Sequence, residues 1–329
     1  MAKRQYRIRR LIAQVPFTEN GFYSQDLPRG YDIEHVGVRF NGTINITTLV
    51  AAGYRAEAPV QLLKRIEIIA DGKNTIASVR GDVMNRSQAA FRKGQNGTLT
   101  PPSATGVAAY PNVNASLVID QNIPDGVRPK DSNLRTSGMQ LLQIKFTFGQ
   151  VSDMFKPGAG AGNATVSFVD IWTSELVEIA DPNDKSVTTP LYLRKRSYQD
   201  IAVVTSNAAL DVQLPIGNVM RGVVLRAEGL TTAGEPDDTV LQNVILRSLT
   251  DVRLNMPYLD LREQNKFDYA VTTLPTGICI ADIMCSGQES GVRATEGWDL
   301  TRASEAKLTL NVTGGANVKV SAMVEELLG

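Results

Sequence analysis

Short blocks in which apolar and polar residues alternate recur along the whole chain, separated by Gly, Asn, Asp and Pro. A period of two is that of a half-buried β-strand, because successive side chains of a strand point to opposite faces. The pattern therefore predicts an antiparallel, all-β protein. The clearest blocks are 36–40, 43–46, 66–70, 142–148, 164–172, 223–227, 307–312 and 318–324.

A hairpin turn and a long loop are predicted from local composition. Asn41-Gly42 lies between the first two of these blocks, and Asn-Gly is the strongest short-range signal for a two-residue hairpin turn. Residues 94–133 are rich in Gly and Pro, with a short strand block near their middle. Because loops this long in compact domains are usually functional or disordered, we expect this segment to carry function, the alternative being an ordered surface connection without a partner.

Helical periodicity is confined to two short segments, 82–93 and 256–269. The order strand, strand, helix, strand, Gly-rich turn, strand occurs in both halves of the chain and predicts an internal duplication. We align 64–72 with 220–229. We also align 164–176 with 316–328 without gaps, so that Trp172 matches Val324.

A duplication on this scale predicts two tandem eight-stranded jelly-roll β-sandwiches, a double jelly roll, with a few short helices. Units of about 150 residues exceed the roughly 100 residues of an immunoglobulin-like sandwich. We expect a basic N-terminal arm at 1–16, a first jelly roll at 17–180, a linker at 181–198 and a second jelly roll at 199–329.

Composition removes several kinds of chemistry. The 329 residues carry 34 Lys+Arg against 34 Asp+Glu, and one His. With His35 as the single imidazole, schemes that need two histidines are excluded. Cys279 and Cys285 are expected to be small buried hydrophobic residues. Since the sequence has no Walker loop, nucleophile elbow or HExxH motif, we expect no enzymatic activity, no cofactor and no metal site.

Positive charge is concentrated in the first ten residues, where five cations stand close together. Each cation near an anionic surface contributes about 1 kcal/mol of binding free energy. We therefore expect the arm to contact lipid headgroups or nucleic acid, the alternative being a strand-forming terminus with solvated charges. The candidate contact residues are Lys3, Arg4, Arg7, Arg9 and Arg10.

The segment 58–76, the helix after it and the tandem arrangement resemble the double jelly-roll major capsid proteins of tailless icosahedral viruses, especially bacteriophages with an internal membrane. As architecture the resemblance covers most of 30–329, and as sequence about 58–92. It implies a structural protein of the virion, synthesised in the host cytoplasm, with no catalytic signature.

The resemblance also implies partners. The first is the chain itself, as a homotrimer with a pseudo-sixfold outline that meets neighbouring capsomers in an icosahedral shell. Minor capsid or vertex proteins are further partners that the resemblance implies, and the arm would face an internal membrane or the genome.

The alternative function is a carbohydrate-binding protein of two β-sandwich modules, such as a receptor-binding spike or lectin. Aromatic residues make up only 6% of the chain, which counts against sugar binding.

Overall fold

Strands make up most of the computed structural model, which describes residues 4–50, 53–91, 99–100, 102, 106–122, 132–179, 193–249, 251–283 and 297–328. The strands of the first half are β1 (Arg4–Pro16), β2 (Phe22–Asp26), β3 (Asp32–Leu49), β4 (Arg65–Ala70), β5 (Asn74–Val79), β6 (Leu99–Thr100), β7 (Ala109–Asp120), β8 (Leu142–Thr147) and β9 (Gly160–Ile179). Those of the second half are β10 (Leu193–Ala202), β11 (Asn207–Gln213), β12 (Val219–Glu228), β13 (Leu241–Ser248), β14 (Asp251–Pro257), β15 (Ile278–Asp282), β16 (Trp298–Asp299), β17 (Lys307–Val312) and β18 (Lys319–Leu328).

These strands form two sandwiches with the same strand order. In roll 1, sheet A (β1-β9-β3-β7, with β6 at its edge) faces sheet B (β2-β8-β4-β5). In roll 2, sheet C (β10-β18-β12-β15) faces sheet D (β11-β17-β13-β14). Helix α1 (Gly81–Phe91) follows β5, and helix α2 (Tyr258–Asp268) follows β14, which is the equivalent strand. The predicted double jelly roll and its two short helices are confirmed.

Sheets B and C are one continuous sheet. Strands β5 and β10 pair in parallel at Ala77 and Arg196, which joins them into a nine-stranded sheet that includes β16. The core of roll 1 also contains Val224, Ile280 and Met323 from sheet C. Roll 1 therefore covers the outer face of sheet C, and this sheet has apolar packing on both faces.

The internal duplication is confirmed for strands but not for the residues we aligned. Strands β9 and β18 hold equivalent places, whereas 64–72 forms the fourth strand of roll 1 and 220–229 the third of roll 2, so that alignment was wrong. The match of Trp172 with Val324 was also wrong. Trp172 packs on the outer face of sheet A, while Val324 lies in the core of roll 2. A shift of one residue moves a side chain to the other face of a strand.

Two local predictions are overridden by tertiary pairing. Asn41-Gly42 is not a turn, because β3 continues through it with irregular register against both neighbouring strands. A glycine is needed at position 42 because the Cβ of any other residue would lie only 2.5 Å from Cβ of Ser167. The predicted loop 94–133 was wrong over 109–120, which forms β7 paired with β3. Much of the remaining loop lies outside the described residues.

The structure also shifts two domain limits. Residues 4–16, assigned to the arm, form edge strand β1 of sheet A and pair with β9 from Arg4/Ile179 to Pro16/Phe168. Residues 193–198, assigned to the linker, begin β10 and pair with β18. Both strands were missed in the sequence because each carries several cations, which interrupt the alternation of apolar and polar residues.

Candidate functional site

The basic first strand uses two of its cations to neutralise buried carboxylates. Arg7 Nε donates to Glu34 Oε2 at 2.6 Å. Arg10 donates to both carboxylate oxygens of Glu175, at 2.9 and 2.7 Å. Glu34 and Glu175 are only 4% and 1% exposed, so each needs its arginine within the fold. These two arginines therefore belong to the packing of sheet A.

The other predicted contact residues lie differently. Arg9 is exposed on β1, Arg4 is the first residue of that strand, and Lys3 lies outside the described residues. The structure thus brings Arg7 and Arg10 onto the sheet beside acidic partners. It leaves the Arg9 side chain exposed.

Among the described residues, nothing covers the outer face of sheet A, which is partly apolar. Leu11, Trp172, Gly37 and Val118 form one row across four strands, since each is paired in register with the next. The indole of Trp172 lies over Gly37, where any Cβ would overlap the ring. Leu11 is 62% exposed at the end of this row. An apolar row on an uncovered face is typical of a contact surface.

A buried ionic cluster joins roll 1 to roll 2. Arg80, which follows β5, donates from Nε to Asp82 Oδ1 at 2.6 Å and from Nη2 to Glu228 Oε2 at 3.0 Å. Arg226 of β12 is fully buried and lies 2.9 Å from Asp82. It also contacts Glu228. Lys319 of β18 completes the cluster, 2.9 Å from Glu228.

The cluster shifts the pKa values of its members. Burial by itself would raise the pKa of Asp82, but Arg226 and Arg80 hold it far below the usual range. Burial lowers the pKa of the Lys319 ammonium to about 8, with Arg80 adding to the effect. Asp82, paired with Arg80, therefore remains ionised at neutral pH, and its ion pair with Arg226 joins the two rolls electrostatically. Beside it opens a cavity of about 550 Å³, whose lining includes Arg65, Tyr198 and Asp200.

A second buried group joins the rolls through Glu325 of β18. Arg194 Nη2 lies 2.7 Å and Arg196 Nε 3.4 Å from Glu325 Oε2. The same arginines donate to the backbone carbonyls of Asn122 and Asp120 in roll 1. Burial favours the neutral acid, yet the surrounding arginines lower the pKa of Glu325 to about 2.

The remaining predicted residues offer little chemistry. Cys279 is buried, and burial raises the pKa of its thiol to about 12, whereas Cys285 lies outside the described residues. His35 lies in β3.

Within the described ranges, no three His, Cys, Asp or Glu side chains gather as metal ligands. In that same part of the chain, neither helix has the length and apolarity needed to cross a membrane.

Sequence reasoning missed both ionic groups. The available signal was a charged residue at a core-like position of a strand, such as Arg226 in the block 223–227. That signal does not identify the partner, because Asp82 and Glu228 come from different halves of the chain. Only the pairing of β5 with β10 brings them together.

Two equivalent jelly rolls joined through one sheet define a double jelly-roll protein. The chain is similar to the major capsid protein of Sulfolobus turreted icosahedral virus, with a TM-score of 0.74, 16% identity, and coverage of 98% of this chain and 97% of that one. It is also similar to the major capsid proteins of bacteriophage PM2 (TM-score 0.63, 11% identity, 98% of each chain) and Faustovirus (0.64, 9%, 99% and 90%). No family model and no curated protein matches the sequence.

Proposed function

We propose that this protein is a viral major capsid protein that associates with itself and builds an icosahedral shell in the virion. Its support is a fold shared with capsid proteins of three different viruses over nearly the full length of both chains. The function is structural: stiff sandwiches form the wall, and contacts between copies close it. Neighbouring capsomers and minor or vertex proteins are the partners that such a shell requires.

One observation carries the self-association. Inside the chain, roll 1 covers the outer face of sheet C, including Val224 and Met323. The equivalent face of sheet A, with Leu11 and Trp172, has no such cover within the described chain. If roll 2 of one copy covered sheet A of the next, three copies would close a ring of six jelly rolls. We therefore propose a homotrimer with a pseudo-sixfold outline.

The basic start of the chain supplies a second contact in this proposal. Arg7 and Arg10 are held by Glu34 and Glu175, and their charges are largely neutralised. Arg9, with Lys3 and Arg4 ahead of it, is the part of the cluster that we assign to an anionic surface on the interior of the shell. An internal membrane and the genome both present such a surface.

The carbohydrate-binding alternative gains no support from the two tryptophans. Sugar sites commonly present an aromatic ring as a flat, open platform. Trp298 is only 4% exposed, and Trp172 is half-buried with its ring over Gly37. The structure thus gives both rings a packing role.

Light scattering of the purified chain tests the proposal. We expect three times the chain mass of 35.7 kDa, and hexagonal plates in negative-stain images. Leu11→Arg should shift the mass towards the monomer, because it places a charge on the open face. Val204→Arg is the matched control, since Val204 is 68% exposed and follows β10, whose edge already pairs with β5 inside the chain. A monomeric unmodified chain at all concentrations would refute the proposed trimer.

A further inference from the structure

We infer that the free edge of β14 pairs in parallel with β1 of a second copy, so that the contact between copies repeats the junction of β5 with β10 inside the chain. This inference rests on the proposed self-association and specifies its geometry. The partner is a second copy of this chain, and the contact joins sheet D of one copy to sheet A of the next.

The two strands are the unpaired equivalents of two paired ones. In the described part of the chain, sheet D ends at β14 and sheet A ends at β1. Their counterparts by strand order are β5 in sheet B and β10 in sheet C, and these two pair with each other. The chain contains two such pairs of edges and uses only β5 and β10 inside the molecule, so β14 and β1 remain as a second complementary pair. Exposed edges readily add a strand.

The register of the contact follows from equivalent positions. Arg196 of β10 is opposite Glu325, which is opposite Gly222 of β12. Leu11 of β1 is opposite Trp172, which is opposite Gly37 of β3. Gly37 and Gly222 both lie in the third strand of their roll, and each precedes a fully buried valine. Leu11 therefore takes the place of Arg196.

The facing residue on β14 is Leu254. Ala77, which pairs with Arg196, lies four residues before the first residue of α1. Leu254 likewise lies four residues before the first residue of α2. Leu254 packs partly against the core of roll 2. Its pairing with Leu11 would extend that core over the outer face of sheet A, just as the core of roll 1 extends over sheet C.

The helices complete the comparison. Helix α1 contacts β12 across the internal junction, and Asp82 in its first turn pairs with Arg226. Helix α2 has Asp260 in its first turn, and its Leu259 and Phe267 are 63% and 81% exposed. The equivalent surface on the second copy is the open face of sheet A, where Arg39 has a half-exposed side chain. The exposed apolar side chains of α2 would thus meet the apolar row of sheet A that contains Leu11 and Trp172, while Arg39 on that face is already paired with Asp170.

Cysteine cross-linking tests this register on the full-length chain. We would introduce Leu11→Cys and Leu254→Cys together, with Cys285→Ser to remove a competing thiol, and oxidise the assembled protein. Each copy then offers one cysteine on each edge, so we expect covalent trimers on a non-reducing gel, with dimers as partial products. Either single substitution should leave monomers. Leu11→Cys with Gln213→Cys is the matched control, because Gln213 lies on β11, the opposite edge of sheet D.

The outcomes separate this inference from the proposed function. Trimers by light scattering that cross-link through Leu254 support both. Trimers that fail to cross-link through Leu254, or that cross-link through Gln213 equally well, overturn the β14 to β1 contact and leave the capsid function standing. A chain that forms no trimer before any substitution overturns both.

Discussion

Arg80 of roll 1 donates a hydrogen bond to Glu228 of roll 2 at 3.0 Å, and their side chains are 11% and 4% exposed. Both side chains are buried where the rolls meet, so each depends on its charged partners. Removing one partner of a buried ion pair leaves a charge without compensation and costs about 3–5 kcal/mol. The bridge is therefore a sensitive point of the contact between the rolls.

Glu228→Gln should lower the free energy of unfolding by about 3–5 kcal/mol, because Arg80, Arg226 and Lys319 would lose a shared anion. Urea unfolding of both proteins measures the change. Asp251→Asn is the control: its pair with Arg253 is half-exposed on both sides and should contribute less than about 1 kcal/mol. Equal shifts in the two variants would contradict a special role for the buried bridge.

Acid should weaken the fold through Glu325. Its pKa is about 2 in the fold, against 4.5 for the unperturbed group, because nearby arginines outweigh the effect of burial. The stabilisation, of order 3 kcal/mol, is present above pH 4.5 and is lost as the pH falls towards 2. Glu325→Gln should be less stable at pH 7 and should lose less stability between pH 5 and pH 2, as followed by urea midpoints. The same acid dependence in both proteins would show that another carboxylate dominates.

Gly37→Ala should destabilise the chain by about 1–3 kcal/mol, because the added methyl group would overlap the indole of Trp172. Trp172→Leu should relieve part of this cost in a double variant, and a double-mutant cycle of unfolding free energies measures the coupling. Gly106→Ala serves as a contrast and should change stability little, since no atom lies within 4 Å of its Cβ position and its φ lies outside the left-handed region. Additive effects of Gly37→Ala and Trp172→Leu would argue against the overlap.

The cations of β1 should separate into two groups. Arg10→Ala should cost about 1–3 kcal/mol of stability, because Glu175 is 1% exposed and would lose its two charged hydrogen bonds. Arg9→Ala should change stability by less than about 0.5 kcal/mol. It should instead weaken binding of the assembled protein to vesicles containing anionic lipid, or to DNA, in sedimentation assays. Unaltered binding to both would remove Arg9 from the anionic contact.

The sequence indicated the fold class well because alternation and helix signals are local. The segments 82–93 and 256–269 correspond to α1 and α2, and the duplicated order correctly predicted two jelly rolls. The predictions that failed concern segments whose structure depends on strands far away in the sequence. Asn41-Gly42 has the composition of a turn, but β3 continues through it because β7 and β9 pair with it on its two sides.

The candidate contacts were harder to predict for the same reason. Five basic residues near the start suggested an arm, and only the structure shows that Arg7 and Arg10 meet Glu34 and Glu175. The charge of each residue is visible in the sequence, but its neutralisation is not. That β14 lies at the edge of its sheet can likewise be known only from the order of the described strands in the folded structure.

Because the central sheet joins the two rolls, we expect them to associate even without the peptide link between them. A cut between Ile179 and Leu193 would break the covalent chain, yet β5 would still pair with β10, and the core of roll 1 would still hold Val224. Two separately synthesised halves should therefore recognise each other and reassemble. In this protein the contact that joins two halves of one chain already has the character of an interface between two proteins.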